Sequence, residues 1–123
     1  MATLTEGQTP GDFLMFEESA HYSRQEITVA AGADLEPGTV LGKVTASGAF
    51  VACDPAASDG AETAAGVLLT PAAAKDADVP KMVMLARHSQ VRRGGLTFGS
   101  GITTSGQRDT ACDQLNAVGI QTL

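Results

Sequence analysis

Short runs of β-branched and apolar residues, broken by Gly, Pro and Asp turn signals, recur along this chain and predict strands. Ile27 and Val29 flank Thr28, which predicts a short strand in a folded body that opens at Glu26. Pro37-Gly38 carries a type II turn signal, Pro presetting φ and Gly supplying φ > 0. Residues 39–45, TVLGKVT, are rich in β-branched types and predict a strand. Ser47-Gly48 reads as a turn and Phe50-Val51 as the return strand, so 39–52 is a hairpin. Gly42 inside its first arm predicts a bulge or a close backbone approach. Residues 53–62 read as a loop with two turn signals, Asp54-Pro55 and Asp59-Gly60. Residues 63–69, TAAGVLL, predict a buried strand kinked at Gly66, with helix the alternative because Ala is the best helix former. Residues 71–78, PAAAKDAD, predict one helical turn opened by Pro71. Residues 81–87, KMVMLAR, alternate weakly and predict a strand buried on both faces.

Beyond Arg93 the texture changes. Residues 94–106 hold five Gly among Ser and Thr and read as loop. Thr104 and Gln107 have capping-box spacing, and Ala111, Leu115 and Val118 fall on one helical face. Gly119 ends that helix as a left-handed residue, and 119–123, GIQTL, predict a terminal strand. At the other end, residues 1–12 are polar with two Gly and a Pro, and read as a flexible arm. Phe13-Leu14-Met15-Phe16 then interrupts this polarity with four large apolar side chains. Such a tetrad either folds back onto the protein's own core or adds as a strand to a sheet edge on another chain. The expected organisation is an N-terminal arm, 1–25, ahead of a single β-rich domain, 26–123.

Composition narrows the function classes. The 123 residues make about one domain, 43% of them hydrophobic, with no Trp, so the core is mainly aliphatic. Net charge is −6, which argues against a nucleic-acid partner and against an anionic membrane. Residues 1–78 carry 12 acidic and 3 basic side chains, whereas 79–123 carry 2 and 5, which suits two different faces. The longest apolar runs, 64–69 and 82–86, are far short of the roughly 20 residues that span a bilayer. The first positive side chain is Arg24, so no secretory n-region is expected. Cys53 and Cys112 form no CxxC pair and read as two buried thiols, consistent with assembly in a reducing cytoplasm.

Candidate chemistry is sparse. GTVLGKVT, 38–45, places three residues between its glycines and Val44 after the Lys, so it fails as a phosphate loop. Lys43 lies in mid-strand and not at the hairpin tip, unlike the mobile Lys of a carrier domain. His21, His88, Cys53 and Cys112 have no metal-ligand spacing. His88 has no nameable partner for base catalysis, and Asp54 and Asp59 flank turns. The cluster Arg87, His88, Arg92 and Arg93 meets an acidic partner, a phosphate or only water. The expectation is therefore no catalytic, cofactor-binding or metal residues.

The run GTVLGKVTASGAFVACDPAASDGAETAAGVLL resembles the lambda-type bacteriophage head decoration protein family (decoration protein D). Pro10-Gly11-Asp12-Phe13 is similar to that family's leader, and Ser23-Arg24 to the pair before its first strand. Gly38 to Lys43, Asp54 to Gly60 and Ala64 to Leu68 follow in the family's order, while residues 87–101 depart from it by being basic and Gly-rich without Trp. The resemblance implies a mainly β fold, a β-clip-like bent ribbon or incomplete barrel with one or two short helices. It implies a non-enzymatic homotrimer on the outer surface of the virion, assembled in the host cytoplasm. It further implies docking at local three-fold sites of the expanded head, with the major capsid protein as partner. The capsid-binding arm would then include Gly11, Asp12, Phe13, Leu14, Met15 and Phe16. A fibre or adhesion domain, and a small enzyme or carrier using Lys43 or His88, are the alternatives.

Overall fold

The computed structural model describes residues 13–18, 23–99 and 101–123. The central hairpin pairs β4 (Val40–Lys43) with β5 (Phe50–Ala52) in the register Leu41↔Ala52, Gly42↔Val51 and Lys43↔Phe50. Its turn closes through Val44 N–H to the Ala49 carbonyl and Gly48 N–H to the Val44 carbonyl, both 2.8 Å. On its other side β4 pairs with β6 (Ala64–Leu68), with a register shift between Leu41 and Gly42. β6 pairs in turn with β8 (Val79–Leu85), and β8 with β2 (Arg24–Val29). β2 meets β5 in parallel at Val29↔Phe50, which closes a five-stranded barrel in the order β2-β5-β4-β6-β8.

Two smaller sheets flank the barrel. β3 (Ala33–Leu35) pairs with β7 (Ala72–Ala74), and β1 (Leu14–Glu17), β9 (Ser89–Val91) and β10 (Ile120–Thr122) form a sheet ordered β1-β9-β10. A 3-10 turn at Arg93–Gly95 follows β9, and α1 (Ser105–Ala117) precedes β10. The fold is thus mainly β with one α-helix. One buried cluster fills the barrel side formed by Val29, Leu41, Leu68 and Met84. The other lies between the barrel and α1, where Val40, Val67 and Leu85 meet Ile102, Leu115 and Ile120. Each such side chain contributes about 1.5–3 kcal/mol on burial.

Several expectations require correction. Residues 72–74 are a strand and not a helical turn. Ala72 and Ala74 are buried while Ala73 is exposed, and the backbone pairing Leu35↔Ala72 and Asp34↔Ala73 overrides the helical propensity of Ala. β8 is not buried on both faces: Pro80 and Lys81 are exposed, and only Met84 and Leu85 reach full burial. Its first half lies on the barrel surface, where Pro80 and Lys81 oppose Thr28 between the pairs Ile27↔Met82 and Val29↔Val79. The folded body opens before Glu26, since β2 starts at Arg24 and β1 already belongs to a sheet.

Candidate functional site

The apolar tetrad divides along its length. Phe13 is buried against the cluster beneath α1, and Leu14 packs on the same cluster. The Arg92 N–H donates to the Phe13 carbonyl at 2.7 Å, and the Glu18 N–H donates to the His88 carbonyl at 3.1 Å. Between these two clamps β1 pairs antiparallel with β9, with a register shift between Leu14 and Phe16. Met15 and Phe16 are each 53% exposed. Gly11 and Asp12 lie outside the described residues.

Side chains hold the far end of the strand. The Arg24 guanidinium donates to both Glu17 carboxylate oxygens, at 2.9 and 2.7 Å, and this pairing raises the arginine's already high pKa. His88 Nδ1 lies 3.0 Å from the Glu18 carboxylate. Ser23, fully buried, donates its hydroxyl to the His88 carbonyl at 3.1 Å.

Two edges bound the β1-β9-β10 sheet. The β10 edge is occupied by the helix, as the Thr122 N–H donates to Asn116 Oδ1 at 3.0 Å. The outer edge of β1 meets no strand among the described residues. The large exposed hydrophobic side chains among the described residues are Met15, Phe16, Val118 and Leu123. All of them lie on this sheet or beside it: two on β1, one at the C-cap of α1 and one just after β10. Sequence patterning exposes the β1 half of this surface through its isolated apolar run. It misses the other half, because Val118 reads as part of the buried helical face and β9 is too short to show a period.

The basic cluster mostly ties elements together. Arg87 donates to Gln25 Oε1 on β2 at 3.1 Å, His88 meets Glu18, and Arg93 pairs with Asp109 on α1. Arg92 is exposed beside the N-terminal clamp of β1.

The candidate chemical groups stay apart. Cys53 lines a hollow with Glu62, Gln107 and Ala111, whereas His88 lines a shallow groove with Phe16, Glu18, Ser89 and Gln121. Burial first, then the charges of Asp54 and Glu62, push the Cys53 thiol up to about 11, the reverse of nucleophile activation. Ser89 Oγ is buried with no hydrogen-bond partner among the described residues, so it is not bonded to His88. Lys43 is not in mid-strand: it is the exposed last residue of β4, directly before the turn, with its side chain beside Gly48. Among the described residues no three His, Cys, Asp or Glu side chains cluster as metal ligands.

The described residues form a small barrel flanked by a sheet that exposes Met15 and Phe16 on β1, whose outer edge meets no described strand, while the candidate chemical groups stay dispersed. The chain belongs to the bacteriophage lambda head decoration protein D family, whose model matches residues 3–120, nearly its whole length. A search of curated proteins finds no match. Membership makes the chain a virion structural protein that acts at the outer surface of the phage capsid.

Proposed function

We propose that this protein binds the expanded phage head as a homotrimer at local three-fold sites and holds the shell against the pressure of packaged DNA. It does so without catalysis. Its partner is the major capsid protein of the same phage, it joins the head in the host cytoplasm, and Gly11 to Phe16 carry the contact. The observation that supports this reading is the division of labour along β1. Phe13 is locked in the core while Met15 and Phe16 stand exposed on a strand whose outer edge meets no strand among the described residues.

An open strand edge binds by strand addition, with main-chain hydrogen bonds supplying affinity and side-chain pockets supplying selectivity. Each bond contributes about 0.5–1.5 kcal/mol net, so one strand binds weakly. Three such strands on one trimer bind at high effective concentration, which clamps a shell without any deep pocket. Preference for the expanded shell follows if the complementary edge is covered before expansion.

The double variant Met15→Ser/Phe16→Ser tests this. Both side chains are half in water, so the variant should keep its urea midpoint close to the parent's. Its affinity for expanded shells in cosedimentation should fall at least tenfold. Unchanged affinity would remove β1 from the contact.

A further inference from the structure

We propose that a β-bulge in β1 is the protein's recognition device. It turns Met15 and Phe16 outward as an adjacent apolar pair, and the capsid surface that takes them offers an apolar recess two side chains wide with a polar rim. This rests on the reading of β1 as the contact strand and names what that strand selects. The parity of the pairing carries the argument. Leu14 lies opposite Val91 and Glu17 opposite Ser89, and both Val91 and Ser89 are buried. Residues directly opposite share a face, so Leu14 and Glu17 both point inward. Leu14 packs on the cluster beneath α1, and Glu17 meets Arg24. In a regular strand, residues three positions apart lie on opposite faces. Here Phe16 pairs with Gln90 and Met15 has no register partner, so two residues of β1 oppose one of β9. The extra residue restores the parity and leaves two consecutive apolar side chains in water.

The sheet itself does not require that residue. Leu14, Phe16 and Glu17 against Val91, Gln90 and Ser89 would already make a regular ladder. What Met15 adds is a second apolar side chain beside Phe16, both on the solvent side. Bulges near functional sites re-aim side chains in this way.

The surroundings of the pair define its partner's chemistry. Gln90 beside Phe16, and Gln121 beyond it, lie on the same outer face, where Gln90 Nε2 donates to Gln121 Oε1 at 2.8 Å. The exposed Glu18 and His88 join them in lining a shallow groove along Phe16. The apolar contact therefore ends after two side chains and is bounded by amides and a carboxylate–imidazole pair. The bulge also interrupts the outer edge of β1, since an added strand cannot follow one regular ladder across an extra residue. Selectivity then falls on the side chains. Met15 suits that role, because an unbranched thioether adapts to an irregular recess.

Methionine footprinting on the full chain tests the recess. Hydrogen peroxide transfers one oxygen to an exposed thioether, giving the sulfoxide and water. In the free protein Met15 should oxidise readily, while the buried Met84 should not. On expanded shells Met15 should oxidise about tenfold more slowly or less, as a side chain shielded from peroxide. Shell-bound protein with Met15 still open to peroxide would overturn the recess and leave the rest of β1 as the contact. Failure to bind shells at all would remove the reading of β1 and the recess with it. Deletion of Met15 gives an independent reading, since it leaves the regular ladder and both clamps of β1 in place. Met15→Leu, which keeps the bulge and the apolar volume, should bind shells within about threefold of the parent. The deletion variant should bind about tenfold more weakly or worse, as expected on losing a central apolar anchor. Parent-like affinity in a folded deletion variant would equally overturn the proposal.

Discussion

At position 42 a side chain has no room. A Cβ there would stand 2.8 Å from the backbone C and Cα of Ala61 and overlap the Ala61 carbonyl oxygen. The loop is closed on itself by the Asp54 N–H, which donates to that carbonyl at 3.0 Å, and is tied to the end of the β4 arm by the Thr45 N–H, which donates to the Asp59 carbonyl at 2.8 Å. Gly42→Ala should cost about 1–3 kcal/mol, read as a lower urea midpoint with unchanged slope. This residue was legible in advance: a glycine amid β-branched neighbours signals a bulge or a close approach, and the structure has both. Cys53 is a second residue with a measurable consequence. Its thiol is raised from the ordinary 9.0 to about 11, so the fold favours the neutral form. That contribution is complete below about pH 9 and is lost as pH rises through about 11. Native protein at pH 8.5 should therefore alkylate at Cys53 at least tenfold more slowly than urea-unfolded protein, and equal rates would contradict the burial.

At the scale of elements, local signals were readable where they were self-contained. Thr104 accepts from the Gln107 N–H at 3.2 Å and Gln107 Oε1 accepts from the Thr104 N–H at 3.2 Å, the reciprocal cap that its sequence spacing predicts. Gly119 turns the chain at φ 94°, again as its position implies. Thr104→Ala should lower stability by about 1 kcal/mol, visible as a drop in Tm of several degrees. The β4–β5 hairpin was legible for the same reason, because turn and strand chemistry agree. What was hidden depended on distant partners. β7 is three alanines, whose strand state is decided by β3 some forty residues earlier. β9 is the centre of its sheet, yet its Ser-Gln-Val carries no period, and its neighbours β1 and β10 come from opposite ends of the chain. Phe13 and Phe16 look alike in the sequence, and only the clamp at Arg92 separates the buried ring from the exposed one.

The whole molecule joins these elements into a barrel flanked by the β1-β9-β10 sheet, which exposes Met15 and Phe16 on its β1 edge. Charge at this scale is read from composition: the net charge of −6 gives the molecule an overall acidic balance, which argues against binding to a polyanion. The uneven sequence distribution does not become a free basic face, because Arg87, His88 and Arg93 bond to β2, the end of β1 and α1. Family membership came through the order of ordinary hairpin and loop motifs, none decisive alone, and the family match spans residues 3–120. The central claim is that an exposed strand anchored at Phe13 recognises the mature shell. Cosedimentation with bare expanded capsids and with unexpanded procapsids of the encoding phage tests it most directly. The account predicts saturable binding, in multiples of three copies per site, to the expanded shell alone. Equal binding to procapsids, or none to either shell by folded protein at moderate salt, would contradict it.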